Sequence, residues 1–324
     1  MEREDVEPRI RTQPSGRGVI GWLKSDVTAL SVDIGERNLR DEAHYRRLLL
    51  ARNFIASRFS NAGLLPRLHR YRAARHEVAN IEVELRGTAW PDEVVVIGAH
   101  YDSAPRSPGA NDNATGVAAL LAMAQAFARL GQRPRRTLRF LAFCTEEPPF
   151  THTREMGSHV YARRCRERHE RVVAMLSLET LGTYFHGPRA PEAPFPLNLF
   201  SPLPGDFLAV VGNLSSRALV KQVEGAFPYD ESLRCRGLAL PGQLPGVRSS
   251  DHVSFWRHGY PAVMVTDTAW VRSRHYHRPT DTIEKLDFPM LARAVSGLEH
   301  VTRELAGMPR ALPAGLSAPD ASHP

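Results

Sequence analysis

The chain of 324 residues is 42% hydrophobic and 24% charged with a formal net charge of +7, a composition that suits a globular protein with a substantial core. No apolar run approaches the roughly 20 residues that a membrane-crossing helix needs, so no membrane partner is expected, and Cys144, Cys165 and Cys235 fit free thiols better than a disulfide framework. The positive charge is almost all arginine, since lysine occurs only at positions 24, 221 and 285, and the arginines are scattered without aromatic partners, so nucleic-acid binding is not expected.

The N-terminal stretch MEREDVEPRIRTQPSGRG is charged and lacks the apolar segment of a secretion signal, from which a cytoplasmic location is expected. Residues 36–64 carry apolar positions at helical spacing and close on Ala-Gly, predicting an opening helix. VANIEVELRG and DEVVVIGAH read as two strands joined by a turn at TAWP. Within the second, residues 94–97 are apolar without alternation, the pattern of a strand buried on both faces. Val117, Leu120, Leu121, Ala124 and Phe127 then recur at three and four residues, predicting a helix packed on that sheet with Asn113 or Thr115 as its N-cap. The loop between strand and helix, YDSAPRSPGANDN, therefore leaves the carboxyl end of a strand, where open α/β sheets place their ligand sites.

RTLRFLAFC is a further strand and runs into Thr145, Glu146 and Glu147. ARRCRERHER, residues 162–171, interleaves acids with arginines as the solvated face of a helix. RVVAMLSLE is another strand and ends at Glu179. Residues 185–249 are rich in Pro and Gly around a helix-like VGNLSSRALVKQVEGAF, which predicts an excursion over the sheet that frames a cleft. GYPAVMVTDT reads as a last buried strand, TDTIEKLDFPMLARAVSGLEHVTREL as a closing helix, and residues 309–324 as a disordered tail. The expected fold is one α/β domain over residues 1–308, a three-layer α/β/α arrangement with a mixed, largely parallel twisted central sheet.

Five positions stand out as nitrogen or oxygen donors: His100, Asp112, Glu147, Glu179 and His277, each following a predicted strand. Two Zn²⁺ ions against three carboxylates and one hydroxide make a neutral cluster, whereas a single ion would leave an excess of negative charge, so two metals sharing Asp112 are expected. Glu146 and Glu147 are adjacent at a strand end and point in different directions, so one can ligate while the other takes a proton from the attacking water. Asp102 is placed to hold the ring N–H of His100 that faces away from metal. His275 competes with His277, while Asp251 and His252 fit a supporting role better than ligation.

GAHYDS, PGANDNATG, FLAFCTEE, LSLETLG, SDHVSFW and HYHRPTDT together resemble the co-catalytic zinc aminopeptidase family that includes aminopeptidase Y, bacterial leucyl aminopeptidases, glutamate carboxypeptidase and glutaminyl cyclases, over roughly residues 75–305 and in the family's order. The resemblance implies a first zinc on His100, Asp112 and Glu179, a second on Asp112, Glu147 and His277, Glu146 as general base, and Tyr276 as the group that polarises the scissile carbonyl. It favours His277 over His275, because His277 and Asp281 keep the family's spacing. The implied activity is that of a di-zinc exopeptidase acting on peptides with a free N-terminus. A single-zinc glutaminyl cyclase, a carboxypeptidase or deacylase, and a non-catalytic binding module are the alternatives. The sequence departs from the family at Glu179, where Asp is commoner, and at PPFTHTREMGS, an insertion after the paired acids that is expected to be a lid. Many members are exported, which this chain is not expected to be.

Overall fold

Residues 94–97 are buried on both faces because the strand that holds them lies inside the sheet. In the computed structural model, which describes residues 18–185, 205–267 and 269–309, the strands are β1 (Arg67–Ala73), β2 (His76–Leu85), β3 (Trp90–His100), β4 (Arg136–Phe143), β5 (Arg171–Glu179), β6 (Phe207–Asn213), β7 (Arg234–Leu240) and β8 (Ala262–Thr266). They form one sheet in the order β1-β2-β4-β3-β5-β8-β6-β7. Neighbours among β4, β3, β5 and β8 are parallel, β1 and β2 run antiparallel at one side, and β6 is antiparallel to β8 but parallel to β7. The parallel strands carry the non-alternating apolar runs that two covered faces require.

The helices are α1 (Val19–Thr28), α2 (Glu42–Asn61), α3 (Gly116–Arg129), α4 (Gly157–Glu167), α5 (Arg217–Ala226), α6 (His252–Arg257), α7 (Ala269–Arg272) and α8 (Phe288–Leu305). Val95 and Ile97 face a large core shared with α1, α2, α3, α5 and α8. Val94 and Val96 face a smaller core made with Tyr161 and Cys165 of α4 and Phe255 of α6. This is the expected three-layer architecture with a mixed, largely parallel sheet. No described helix is long and apolar enough to cross a membrane.

Several expectations need correction. The helix expected over 36–64 begins at Glu42, because the Asp41 side chain accepts the N–H of His44 as its cap. Before it lies α1, continued by a wider turn over Ala29–Ile34, which was not foreseen. The turn at TAWP joins β2 to β3, yet the two are not paired, since β4 lies between them. β1 was missed: RLHRYRA is half-buried at best along most of its length, and its arginines suit a sheet edge that must not recruit another strand.

The stretch 185–249 was expected to pass over the sheet, but residues 207–213 and 234–240 enter it as β6 and β7. β6 is buried almost throughout and pairs with both β8 and β7. Its FLAVVGN run was overshadowed by the surrounding Pro and Gly. Residues 186–204 of that stretch, and 310–324 of the expected tail, lie outside the described residues. The closing helix starts at Phe288, where Asp287 caps the N–H of Met290 and Pro289 sits in the first turn, the one place a helix tolerates it.

Candidate metal and catalytic centre

The carboxyl ends of the parallel strands deliver the side chains. β3 ends at His100, β5 ends at Glu179, and β4 runs into Thr145, Glu146 and Glu147. Thr145 (φ 57°) and Thr180 (φ 45°), beside Glu146 and Glu179, and His277 itself (φ 54°) occupy the left-handed region. A β-branched residue is held there only at a cost of about 1–3 kcal/mol. Thr145 is fixed by its hydroxyl, whose single proton is shared between the carbonyls of Cys144 and Glu155, each 2.7 Å away, and Thr180 by its N–H to Asn113 Oδ1 at 3.1 Å. The backbone is thus turned sharply at the strand ends so that successive side chains point into one space.

The five expected donors meet there. His100 Nε2 lies 3.3 Å from Asp112 Oδ1 and 3.3 Å from Glu179 Oε2. His277 Nε2 lies 3.0 Å from Asp112 Oδ2 and 3.1 Å from Glu147 Oε2. Asp112 therefore stands between the histidines with one oxygen toward each. His100, Asp112 and Glu147 also offer donor atoms all within 4.8 Å of one another. His275, the competing residue, instead bonds Thr280 Oγ1 through Nδ1 at 2.9 Å.

These atoms are close enough to form ion pairs wherever the histidines are protonated, but the contacts to Asp112 and Glu147 lack hydrogen-bond geometry. Both oxygens of Asp112, both of Glu147 and Oε1 of Glu179 are buried without a hydrogen-bond partner among the described residues. Buried carboxylate oxygens without such partners are costly, and their convergence with two imidazoles makes a set of nitrogen and oxygen donors of the type that suits Zn²⁺. The electrostatics agree. Burial, reinforced by Asp112, pushes the Glu147 carboxyl up to about 8. Burial resists the imidazolium of His277, but Asp112 and Glu147 lift it to about 11. Without positive charge, these carboxylates do not share the site easily.

Asp102 meets His100 as expected, though through its main-chain carbonyl, 3.2 Å from Nδ1, while its carboxylate is 3.7 Å away. That carboxylate accepts the N–H groups of Glu146 and Glu147, at 3.1 and 3.0 Å. Asp102 therefore aims the paired acids as well as the histidine. Glu146 Oε2 is 3.9 Å from His100 Nε2, further back than the closer donors. Tyr276 stacks on the His277 ring at 4.0 Å, and its hydroxyl is kept protonated by burial and by the carboxylates of Asp112, Glu179, Glu147 and Glu146.

Other groups emerge only from the structure. Asp281 accepts the N–H groups of Asn111 and Asp112 at 2.9 and 3.1 Å and so orients Asp112. Asp267 accepts Asn111 Nδ2 at 3.0 Å and the N–H of Thr183 at 2.6 Å. Ser250 donates to Glu179 Oε2 at 2.7 Å. Asp251 is fully buried nearby, and burial pushes its carboxyl to about 7, while His252 Nε2 meets the carbonyl of Val247 at 2.8 Å. The stretch expected to be a lid is fastened: Thr151 donates to the Glu146 carbonyl at 2.7 Å, Arg257 to the His152 carbonyl at 2.6 Å, and Ala74 N–H to Glu155 Oε2 at 2.9 Å. So tied, it is a wall beside the site.

Known proteins resemble this chain in sequence and in fold. The model of Peptidase family M28 matches residues 80–302. The chain is 38% identical over 214 residues to the uncharacterized protein YfbL of Escherichia coli, covering 63% of this chain and 65% of that protein. It is 25% identical over 225 residues to the probable aminopeptidase YDR415C of Saccharomyces cerevisiae, covering 66% and 53% respectively. The chain thus spans between about half and two thirds of the length of these relatives. Its fold is similar to that of BSAP, a zinc aminopeptidase from Bacillus subtilis, with a TM-score of 0.65 at 17% identity, covering 89% of this chain and 96% of that one. It is similarly close to Porphyromonas gingivalis glutaminyl cyclase, with a TM-score of 0.64 at 16% identity, covering 88% and 98%.

Proposed function

The chain belongs to peptidase family M28, and on that premise we propose that it is a zinc-dependent aminopeptidase with two metal positions sharing Asp112. One ion would be held by His100, Asp112 and Glu179, and the other by Asp112, Glu147 and His277. The observation that carries this reading is the divided carboxylate of Asp112, with Oδ1 toward His100 and Oδ2 toward His277 and neither oxygen hydrogen-bonded among the described residues. A single-metal cyclase has no need of the second group of donors.

When bound, zinc supplies Lewis acidity that acidifies water and polarises the peptide carbonyl. Glu146 is the general base: it takes the proton of the attacking water on its carboxylate and passes it to the leaving amine. Asp102 holds Glu146 and Glu147 in register through their N–H groups. The protonated Tyr276 hydroxyl donates to the developing oxyanion. Acidic side chains beside the metal positions, Glu179 among them, would attract the α-ammonium group of a substrate, which favours aminopeptidase polarity. A cavity of about 330 Å³ bordered by Glu147, Leu39, Pro149 and Phe150 offers room for a substrate side chain.

The test pairs metal analysis with a peptide panel. About two zinc ions per chain and cleavage of free peptides far faster than N-acetylated ones are expected. One zinc that excess metal does not raise, together with cyclisation of N-terminal glutamine, would replace this reading with the cyclase. Equal cleavage of acetylated peptides would make the enzyme a carboxypeptidase or deacylase.

A further inference from the structure

Arg37 is fully buried, and its partners are unusual for a buried cation. Among the described residues, its five side-chain hydrogen bonds all go to main-chain carbonyls. Nε donates to Tyr101 at 2.6 Å, Nη1 to Pro108 at 2.7 Å and to Leu30 and Gly35 at 3.2 Å each, and Nη2 to Gly109 at 3.1 Å. Tyr101 follows His100 directly, and Pro108 and Gly109 lead into Asp112. One guanidinium thus grips both ends of the loop that separates the two donors.

The backbone strengthens the grip. Arg37 N–H donates to Ser103 Oγ at 3.1 Å, Ser103 N–H returns to the Arg37 carbonyl at 3.0 Å, and Ser103 Oγ donates to the Ser107 carbonyl at 3.0 Å. Gly109 adopts φ +62°, and a Cβ there would come within 2.7 Å of Ser103 Cβ and 3.3 Å of Arg37 Nη2, so the loop closes tightly on the arginine. Burial lowers the guanidinium to about 10 while Asp102, Asp281, Asp112 and Glu147 act to raise it, and it stays charged at neutral pH.

We infer that Arg37 is a positioning residue that sets the spacing of His100 and Asp112 before any metal arrives, so that the segment preceding α2 is part of the metal centre. The inference rests on the ligand assignment proposed above. Arginine suits this task because its planar fork presents five N–H donors in fixed directions. Lysine keeps the charge on a single nitrogen and cannot span Tyr101 and Gly109 together. Charge and geometry can therefore be separated.

The experiment compares wild type with Arg37→Lys, Arg37→Gln and Ser103→Ala in two measurements. Zinc affinity is read by competition with a chelator, and amide hydrogen exchange is followed in the metal-free protein at Ser103, Asn111 and Asp112. Arg37→Lys and Arg37→Gln should fold, lose about 10–100-fold in zinc affinity, the usual cost of removing an outer partner of a ligand, and exchange faster at those three amides than elsewhere in the sheet. Should both arginine variants fail to fold, Ser103→Ala carries the test, with the same changes in smaller measure. Lower thermal stability with unchanged zinc affinity and unchanged local exchange would overturn the inference, as would full rescue by lysine. If wild type binds no zinc, the ligand assignment fails by itself, and the exchange measurement still decides whether Arg37 orders the loop.

Discussion

Glu146 and Glu147 are neighbours in sequence, yet their surroundings assign them different work, and replacing each by glutamine separates the two roles. Glutamine keeps size and shape while removing the charge and the proton-accepting carboxylate. Glu147 Oε2 sits 3.1 Å from His277 Nε2, and neither oxygen has a hydrogen-bond partner among the described residues, so Glu147→Gln removes one of the three donors in its group. Zinc affinity should fall by more than the roughly 10–100-fold caused by losing a mere outer partner. Glu146 stands 3.9 Å from His100 Nε2, and Glu146→Gln leaves all five closer donors in place. Its metal content should match wild type while kcat falls by roughly 10²–10⁴, the contribution of a positioned general base, equivalent to about 2.7–5.4 kcal/mol of barrier. KM should change little. The assay measures zinc content and steady-state kinetics for both variants under one set of conditions. Zinc loss in Glu146→Gln with retention in Glu147→Gln would reverse the roles, and near-normal turnover in Glu146→Gln would refute the proton-transfer argument.

Three further outcomes follow from the same geometry. Asp281→Asn places an NH₂ group against one of the two N–H donors of Asn111 and Asp112, and it should weaken zinc binding by about 10–100-fold in chelator competition while the far-ultraviolet dichroism is kept. Glu82 is buried, which opposes its ionisation, but His69, Arg139 and Tyr161 hold its carboxyl from the usual 4.5 down to about 2. A folded-state value below the unfolded one stabilises the protein above about pH 4.5, and that contribution fades as pH falls toward 2. It is worth on the order of 3 kcal/mol, so urea titrations between pH 6 and about 3 should show a steeper loss for wild type than for Glu82→Gln, and parallel losses would exclude it. Gly98→Ala in β3 would bring a Cβ within 2.3 Å of the buried Phe143 ring, and a loss of about 1–3 kcal/mol in denaturant unfolding is expected, against none if the ring yields freely.

What the sequence alone determined is what local pattern encodes. The apolar runs at 94–97 and in RVVAMLSLE marked central strands because a strand covered on both faces cannot alternate, and the three- and four-residue spacing from Val117 to Phe127 marked α3 because a helix buries one stripe. Donor side chains at the ends of such strands converge by topology, so the expected grouping of His100, Asp112, Glu147 and Glu179 could be read from order and residue type, while the choice of His277 over His275 rested on the family resemblance. Tertiary structure decided the rest. β6 was hidden because its burial depends on β8, and β1 because an edge strand needs little apolar surface. Asp281 reaches Asn111 and Asp112 across about 170 positions, and Arg37 reaches Tyr101, Pro108 and Gly109 across 64, 71 and 72. Such bonds leave no periodicity in the chain: an arginine that will be buried against five carbonyls has the same letter and local neighbourhood as one bound for solvent, and only the packed fold distinguishes them.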